Sequence, residues 1–389
     1  MTQPAEVSVD RSDVPEPTPA EDATAGEIPA DLPHLLRELF SGRRGESHVV
    51  AIQDYPDPDA ISSALAYREI ARPFGIESDI VYDGLISHPE NLALVNLLEI
   101  ELIRFTEQID LSRYDAAVFV DNQGTTTRLT GRLRNAGIPT FAVIDHHDPQ
   151  DLLDPIFSDV RPLGAAATQF AEYLASGAFL ELDPGNSVHV SLATALLHGL
   201  HSETSSLIRA TGSEYDAAAY LSQFADRVLL ERVLCVQKSR GTMETIHAAL
   251  GRRILRGGLS LAGVGCLRWA DRDAIPQAAD FLLKEENVKT AIVYGMLAEG
   301  NGSESLIGSL RTNDATLAVD AFLKSALGMN SSGRYYGGGR LRAGGFEIEL
   351  DFLAGAGDDT DEREEKWVIF DRQIRRKLFE AAGLDKKVE

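Results

Sequence analysis

Three short apolar runs in this chain each end in groups that bind cations. Ser47-His48-Val49-Val50-Ala51-Ile52 leads into Gln53-Asp54-Tyr55-Pro56-Asp57-Pro58-Asp59. Asp115-Ala116-Ala117-Val118-Phe119-Val120 leads into Asp121-Asn122-Gln123, and Thr140-Phe141-Ala142-Val143-Ile144 into Asp145-His146-His147. Such runs read as fully buried strands. Open α/β sheets bind their ligands at the carboxyl ends of their strands. Asp57, Asp59, Asp121, His146 and His147 are therefore expected along one sheet edge. Carboxylates repel one another in a low-dielectric cleft, so the cluster calls for cations. Oxygen ligands with some imidazole suit Mn²⁺ or Mg²⁺ better than Zn²⁺. A carboxylate able to bridge two ions suggests a two-metal hydrolase.

Each of these residues also has a plainer reading. Asp57 and Asp59 flank Pro58, whose ring fixes φ, and could merely cap the following helix. Asp121 could be another N-cap, and the two histidines could be ordinary turn residues. In the second half of the chain Arg311 follows an apolar strand, and its planar fork suits two-point phosphate contact. Gly337-Gly338-Gly339 would let backbone N–H groups approach an anion, although a glycine run is more often only a turn.

Asp57-Pro58-Asp59-Ala60, Asp121 and Asp145-His146-His147, in this order and spacing, resemble the DHH phosphoesterases. Ser309-Leu310-Arg311-Thr312, Gly337-Gly338-Gly339-Arg340 and Ala343-Gly344-Gly345-Phe346 are similar to the motifs of the DHHA1 domain. The likeness runs from about residue 46 to about residue 354. It implies two Mn²⁺ ions, with Mg²⁺ as the alternative. Asp57 would bind the first, Asp59 the second, and Asp121 would bridge them. His146 would be a ligand, His147 would face the substrate phosphate, and Asp145 would hold an imidazole in its tautomer; Asp121, Asp145 and His147 are the expected catalytic trio. Glu203 stands where the family carries Asp and is expected on the second metal. Gln53 stands where the family has a histidine ligand of the first metal. Its neutral amide would bind more weakly and favour Mg²⁺. Arg311, Gly337, Gly338, Gly339 and Arg340, the last in place of the family's histidine, would bind substrate together with His147.

The implied activity is a metal-dependent phosphodiesterase or phosphatase. Its partner would be a small nucleotide or a short single-stranded oligonucleotide, such as phosphoadenosine phosphate or a di-adenylate. A RecJ-like single-strand exonuclease is one rival. A catalytically weak nucleotide-binding module is the other, suggested by Gln53, Glu203 and Arg340.

Composition narrows the classes. The 389 residues are enough for two domains. A formal charge of −23 argues against a broad duplex-DNA surface. No apolar run approaches the ~20 residues of a membrane helix, and the N-terminus has no basic region followed by an apolar stretch. A cytoplasmic protein without a membrane partner is expected, with room for a homodimer. Cys235 and Cys266 sit among apolar residues and are expected to be buried free thiols.

From residue 47 strand and helix patterns alternate. The expected fold is α/β: an N-terminal domain with a mostly parallel sheet, a smaller C-terminal α/β domain, and the active site in the cleft between them. The expected boundaries are a disordered acidic tail over 1–31, the metal-binding domain over 32–212, and a helical connector over 213–249. The substrate-binding domain follows over 250–356, then a charged linker and terminal helix over 357–389.

Overall fold

A computed structural model of the chain describes residues 31–86, 88–298, 303–340, 342–350, 353–354 and 360–384. The acidic tail lies outside the described residues, apart from Asp31.

The first domain begins with α1 (Leu32–Ser41), β1 (Ser47–Ala51), α2 (Pro58–Ala71), β2 (Glu77–Tyr82), α3 (Pro89–Leu97) and β3 (Ile103–Arg104). It continues with β4 (Ala116–Val120), α4 (Leu129–Asn135), β5 (Thr140–Asp145), β6 (Phe157–Val160), α5 (Ala166–Ala175) and α6 (Ser187–Glu203). Its six strands are all parallel, in the order β3-β2-β1-β4-β5-β6. Both faces are covered, which is why the central strands are apolar on both sides. Phe40, Ile61, Phe141, Phe170 and Leu196 fill one face; Val49, Phe119, Leu129, Leu133 and Val143 fill the other.

That strand order contains a reversal. After β1 the chain steps outward to β2 and β3, then returns to β4 and steps the other way to β5 and β6. The loops leaving β1 and β4 therefore part company and open a crevice at their carboxyl ends. Gln53, Asp57 and Asp121 stand at this point.

The stretch expected as a connector forms α7 (Gly212–Leu221), α8 (Arg227–Leu234) and α9 (Arg240–Arg252). Asp226 breaks it by capping α8 through Val228 and Leu229 N–H. α7 and α8 pack on the first domain, through Ala217, Leu221 and Val233. α9 packs on the second, through Ile246 and Ala249.

The second domain adds β7 (Ile254–Arg256), β8 (Leu259–Arg268), α10 (Ala274–Leu282), β9 (Thr290–Ala298) and β10 (Glu304–Thr312). α11 (Val319–Leu327), β11 (Gly337–Arg340), β12 (Ala343–Glu349) and α12 (Thr360–Ala381) complete it. Its sheet is mixed, in the order β11-β12-β10-β9-β8-β7, with only β8 and β9 parallel. α9 and α10 cover one face, while α11 and α12 cover the other.

The fold corrects two expectations. Gly337-Gly338-Gly339-Arg340 is a strand, not a turn, pairing with Ala343 to Phe346. A side chain at Gly339 or Gly344 would drive its Cβ into Val319, so glycine lets α11 sit close to these strands. Cys235 and Cys266 are exposed. The first ends the short helix α8 and the second lies just past a register shift in β8. On α12, Ile374 and Leu378 are buried, whereas Ile369 is exposed.

Candidate metal centre

Asp57 is the N-cap of α2, with Oδ1 accepting from Ala60 N–H at 2.9 Å. The capping reading is thus true of Asp57, and it leaves Oδ2 for other work. Asp59 is buried in the first turn of α2. Its two oxygens accept from Ala166 and Ala167 N–H at the start of α5, at 2.7 and 2.8 Å. That bond ties α2 to α5 and fixes the carboxylate.

Asp121 directly follows β4 with φ of 56°, a left-handed conformation that Asp tolerates better than most residues. His146 follows β5. Its Nδ1 is 3.1 Å from the Leu163 carbonyl, which can only accept, so Nδ1 carries a proton and Nε2 is the atom turned toward the carboxylates. Nε2 lies 3.3 Å from Asp121 Oδ1 and 3.8 Å from Asp59 Oδ2. Neither His146 Nε2 nor Asp121 Oδ1 makes a well-formed hydrogen bond, and both are buried. Two buried ligand atoms left facing one another in this way are what a cation satisfies once the imidazole gives up its second proton. The donor set therefore fits a divalent metal.

Around this pair the expected residues converge. One atom from each of Asp121, Asp145, His146 and His147 lies within 4.8 Å of the others. Asp145 is fully buried and accepts from His147 Nδ1 at 2.8 Å and from Gln123 Nε2 at 2.7 Å. Glu203 is the last residue of α6 and acts electrostatically on Asp59, with Asp57, His146 and His147 acting on it. Gln53 Nε2 donates to Asp57 Oδ2 at 2.8 Å and to Asp121 Oδ2 at 3.4 Å. The amide thus bridges the two carboxylates expected on the first metal.

The protonation of the cation-free site records the same crowding. Burial, then Asp57 and Glu203, push the Asp59 carboxyl up to about 7. Burial and the nearby Asp57 and Asp59 raise Asp121 well above the carboxylate range. Burial opposes a charged His146, but Asp121 and Asp59 outweigh it and lift the imidazole to about 10. Protons stand in for the missing positive charge. Asp145 is the exception: burial acts against its charge, yet its bond to His147 holds its pKa below the usual range.

Residues 48–200 match the DHH family, N-terminal domain. The chain carries a DHH-family N-terminal domain. An uncharacterized protein of Methanocaldococcus jannaschii is 36% identical over 332 residues, which is 85% of this chain and 63% of that protein. A probable manganese-dependent inorganic pyrophosphatase of Bacillus cereus is 28% identical over 166 residues, 42% of this chain and 50% of that protein. The chain thus spans between half and two thirds of the length of these relatives. In fold, it is similar to the crystal structure of an exopolyphosphatase-related protein from Bacteroides fragilis. The TM-score is 0.64 over 92% of this chain and all of that one, at 14% identity.

Outside the DHH domain the expected site residues separate. Arg311 lines a cavity of about 340 Å³ between the two domains. Its Nε donates to Asp280 at 2.9 Å, and its Nη1 to Ser309 Oγ and the Leu310 carbonyl. Nε and Nη1 are therefore engaged within the second domain, leaving Nη2. Gly337 to Arg340 do not line that cavity. The Gly339 N–H donates to the Asp320 carboxylate at 3.2 Å, so an anionic side chain already holds it. Among the described residues no helix is long and apolar enough to cross a membrane.

Two neighbours of Asp121 have roles that spacing could not reveal. Asn122 Nδ2 donates to the Ala51 and Val120 carbonyls and locks the ends of β1 and β4 together. Gln123 reaches Asp145 and the Asp148 carbonyl, and accepts from Gln150 N–H. The signal was their polarity directly beyond a buried strand; the partners are distant in sequence. His198 is also buried, with both ring nitrogens unpartnered. Burial and then His201 and His88 lower its pKa to about 4, so it is neutral.

Proposed function

We propose that this chain is a metal-dependent phosphohydrolase of small nucleotides or short single-stranded oligonucleotides, using Mn²⁺, with Mg²⁺ as substitute. The observation that carries this reading is the buried pair of His146 Nε2 and Asp121 Oδ1, neither in a well-formed hydrogen bond, within a ring of carboxylates. Asp57, Asp121 and the Gln53 amide oxygen, after the amide turns over, would hold the first ion; Asp59, Asp121, His146 and Glu203 would hold the second. Ions held there would supply positive charge for the phosphoryl oxygens and would lower the pKa of water toward neutrality.

The remaining work falls to the protein. Asp59 is fixed by α5, and His146 by the Leu163 carbonyl, so the ligands are held before substrate arrives. His147 is the more open of the two imidazoles, at 32% exposure against 9% for His146. Anchored by anionic Asp145, it would donate a proton to the leaving oxygen. The free side of the Arg311 fork would bind substrate phosphate.

The test is hydrolysis by the full chain, stripped of metal and resupplied with Mn²⁺. The panel is a dinucleotide, phosphoadenosine phosphate, cyclic di-adenylate, pyrophosphate and single-stranded DNA. Mn²⁺-dependent cleavage of a nucleotide substrate is expected. Turnover of pyrophosphate alone would overturn the nucleotide assignment. No turnover of any member would overturn the enzyme in favour of a binding module.

A further inference from the structure

Tyr55 is an exposed aromatic, 58% accessible, in the loop that carries the metal-site residues. The loop around it is pinned. Asp54 N–H donates to the Thr126 carbonyl at 3.1 Å, and the Asp54 carbonyl accepts from Leu85 N–H at 3.2 Å. The Pro56 carbonyl accepts from Asn91 Nδ2 at 2.9 Å. The backbone that carries the ring is thus held in place, while the ring itself stays largely exposed.

The ring lines the cavity between the domains, together with Pro56 and Asn91 from the first domain and Arg272, Gln277 and Arg311 from the second. From across the cleft the Arg272 guanidinium lies 5.8 Å from the Tyr55 ring centre and 5.0 Å from that of Trp269. A volume of about 340 Å³ is within the range of small-ligand sites.

Charge decides what this cavity suits. Arg272 is paired with Glu347 at 2.9 Å and Arg311 with Asp280 at 2.9 Å, and Asp273 adds another carboxylate to the lining. Beyond the phosphate contact left to Arg311 Nη2, the cavity therefore offers no further cation for a second phosphate. It offers an aromatic face and a guanidinium plane, the two surfaces on which nucleobases stack. Tyr55 precedes Asp57 by two residues, so its Cα lies within about 7 Å of that of Asp57. A base beside Tyr55 would be a short reach from a phosphate at the metals.

We infer that Tyr55 and Arg272 form a subsite for the nucleobase next to the scissile phosphate. Tyr55 supplies the stacking face and Arg272 approaches from the second domain, so the base bridges the cleft. This subsite separates nucleotides from ring-free phosphates, which the metal centre alone treats alike. It rests on the nucleotide part of the proposed function.

Calorimetric titration of the full chain with Mn²⁺ present, using AMP and ribose 5-phosphate as probes, tests it. The two share a sugar and a phosphate and differ by the base. AMP is expected to bind about tenfold tighter. Tyr55→Ala should erase that gap while Mn²⁺ affinity stays unchanged. Tyr55→Phe should keep it, and Arg272→Ala should narrow it. Equal affinities in the wild type, or an undiminished gap in Tyr55→Ala, would overturn the subsite. Binding is read here without turnover. A persistent gap in a protein that hydrolyses nothing sinks the enzyme but not the subsite; hydrolysis without a gap does the reverse.

Discussion

At the carboxyl ends of β1, β4 and β5, Asp57, Asp59, Asp121, Asp145 and Glu203 crowd around two imidazoles, and two of the buried ligand atoms make no well-formed hydrogen bond. On the second sheet charge is neutralised locally: Arg311 with Asp280, Arg272 with Glu347, Lys366 with Glu304, and the Gly339 N–H with Asp320. The first arrangement is costly unless a cation completes it. The named pairs of the second need no added ion. On the proposed function, this contrast would put the chemistry in the first domain and leave the second to position what binds there.

The sharpest way to break the contrast is Asp121→Asn. Asparagine tolerates the left-handed backbone, so the fold should survive while the central charge is lost. Hydrolysis should fall by at least roughly 10²-fold, and the cation-free protein should melt no lower than the wild type. Activity above about a tenth of wild type would remove Asp121 from the metal centre.

Stability against pH probes the same crowding. The folded Asp59 carboxyl holds its proton up to about 7, against 3.8 for the unfolded group. The folded state therefore binds more protons between those values, and chelated protein should lose stability as pH rises from about 4 to about 7. His146 acts in the same direction at higher pH, since its contribution is lost as pH rises through about 10. Saturating Mn²⁺ should flatten the fall. Thermal melts that rise over this window without metal would contradict the assigned protonation.

Gln53→His asks whether the first ion is limited by its ligand. An imidazole in place of the amide should tighten Mn²⁺ binding about tenfold and raise activity at low Mn²⁺. Unchanged affinity would remove Gln53 from the ligand set. Gly339→Ala perturbs the satisfied region instead. It should cost about 1–3 kcal/mol by pressing on Val319, with Mn²⁺ affinity untouched. The smallest effect is expected of Arg311→Ala, which should raise KM a few-fold more than it lowers kcat, because part of the fork already serves Asp280 and Ser309.

The sequence announced the metal edge because buried parallel strands are written as unbroken apolar runs, and their ends stand out as charge. β3, with two residues, and β6, with alternating burial, gave no such run and went unseen. Gly337 to Arg340 was illegible as a strand because glycine has no strand preference; pairing with β12 and contact with α11 make it one. The ligand types at Asp57, Asp59, Asp121 and His146 could be read from motif spacing. Their supports could not: the bonds from Ala166 to Asp59, Leu163 to His146 and Gln123 to Asp145 join segments that only the fold brings together.

On the proposed function, a cation would sit between Asp121 and His146 and displace the second proton of the imidazole. Titrating Mn²⁺ into metal-free protein at pH 7, in two buffers of different ionisation heat, tests it most directly. The account predicts saturable binding with release of roughly one proton or more, since His146 must lose its proton to become a ligand, and loss of that binding in Asp121→Asn. No saturable binding, or binding that releases no proton and survives Asp121→Asn, would contradict it.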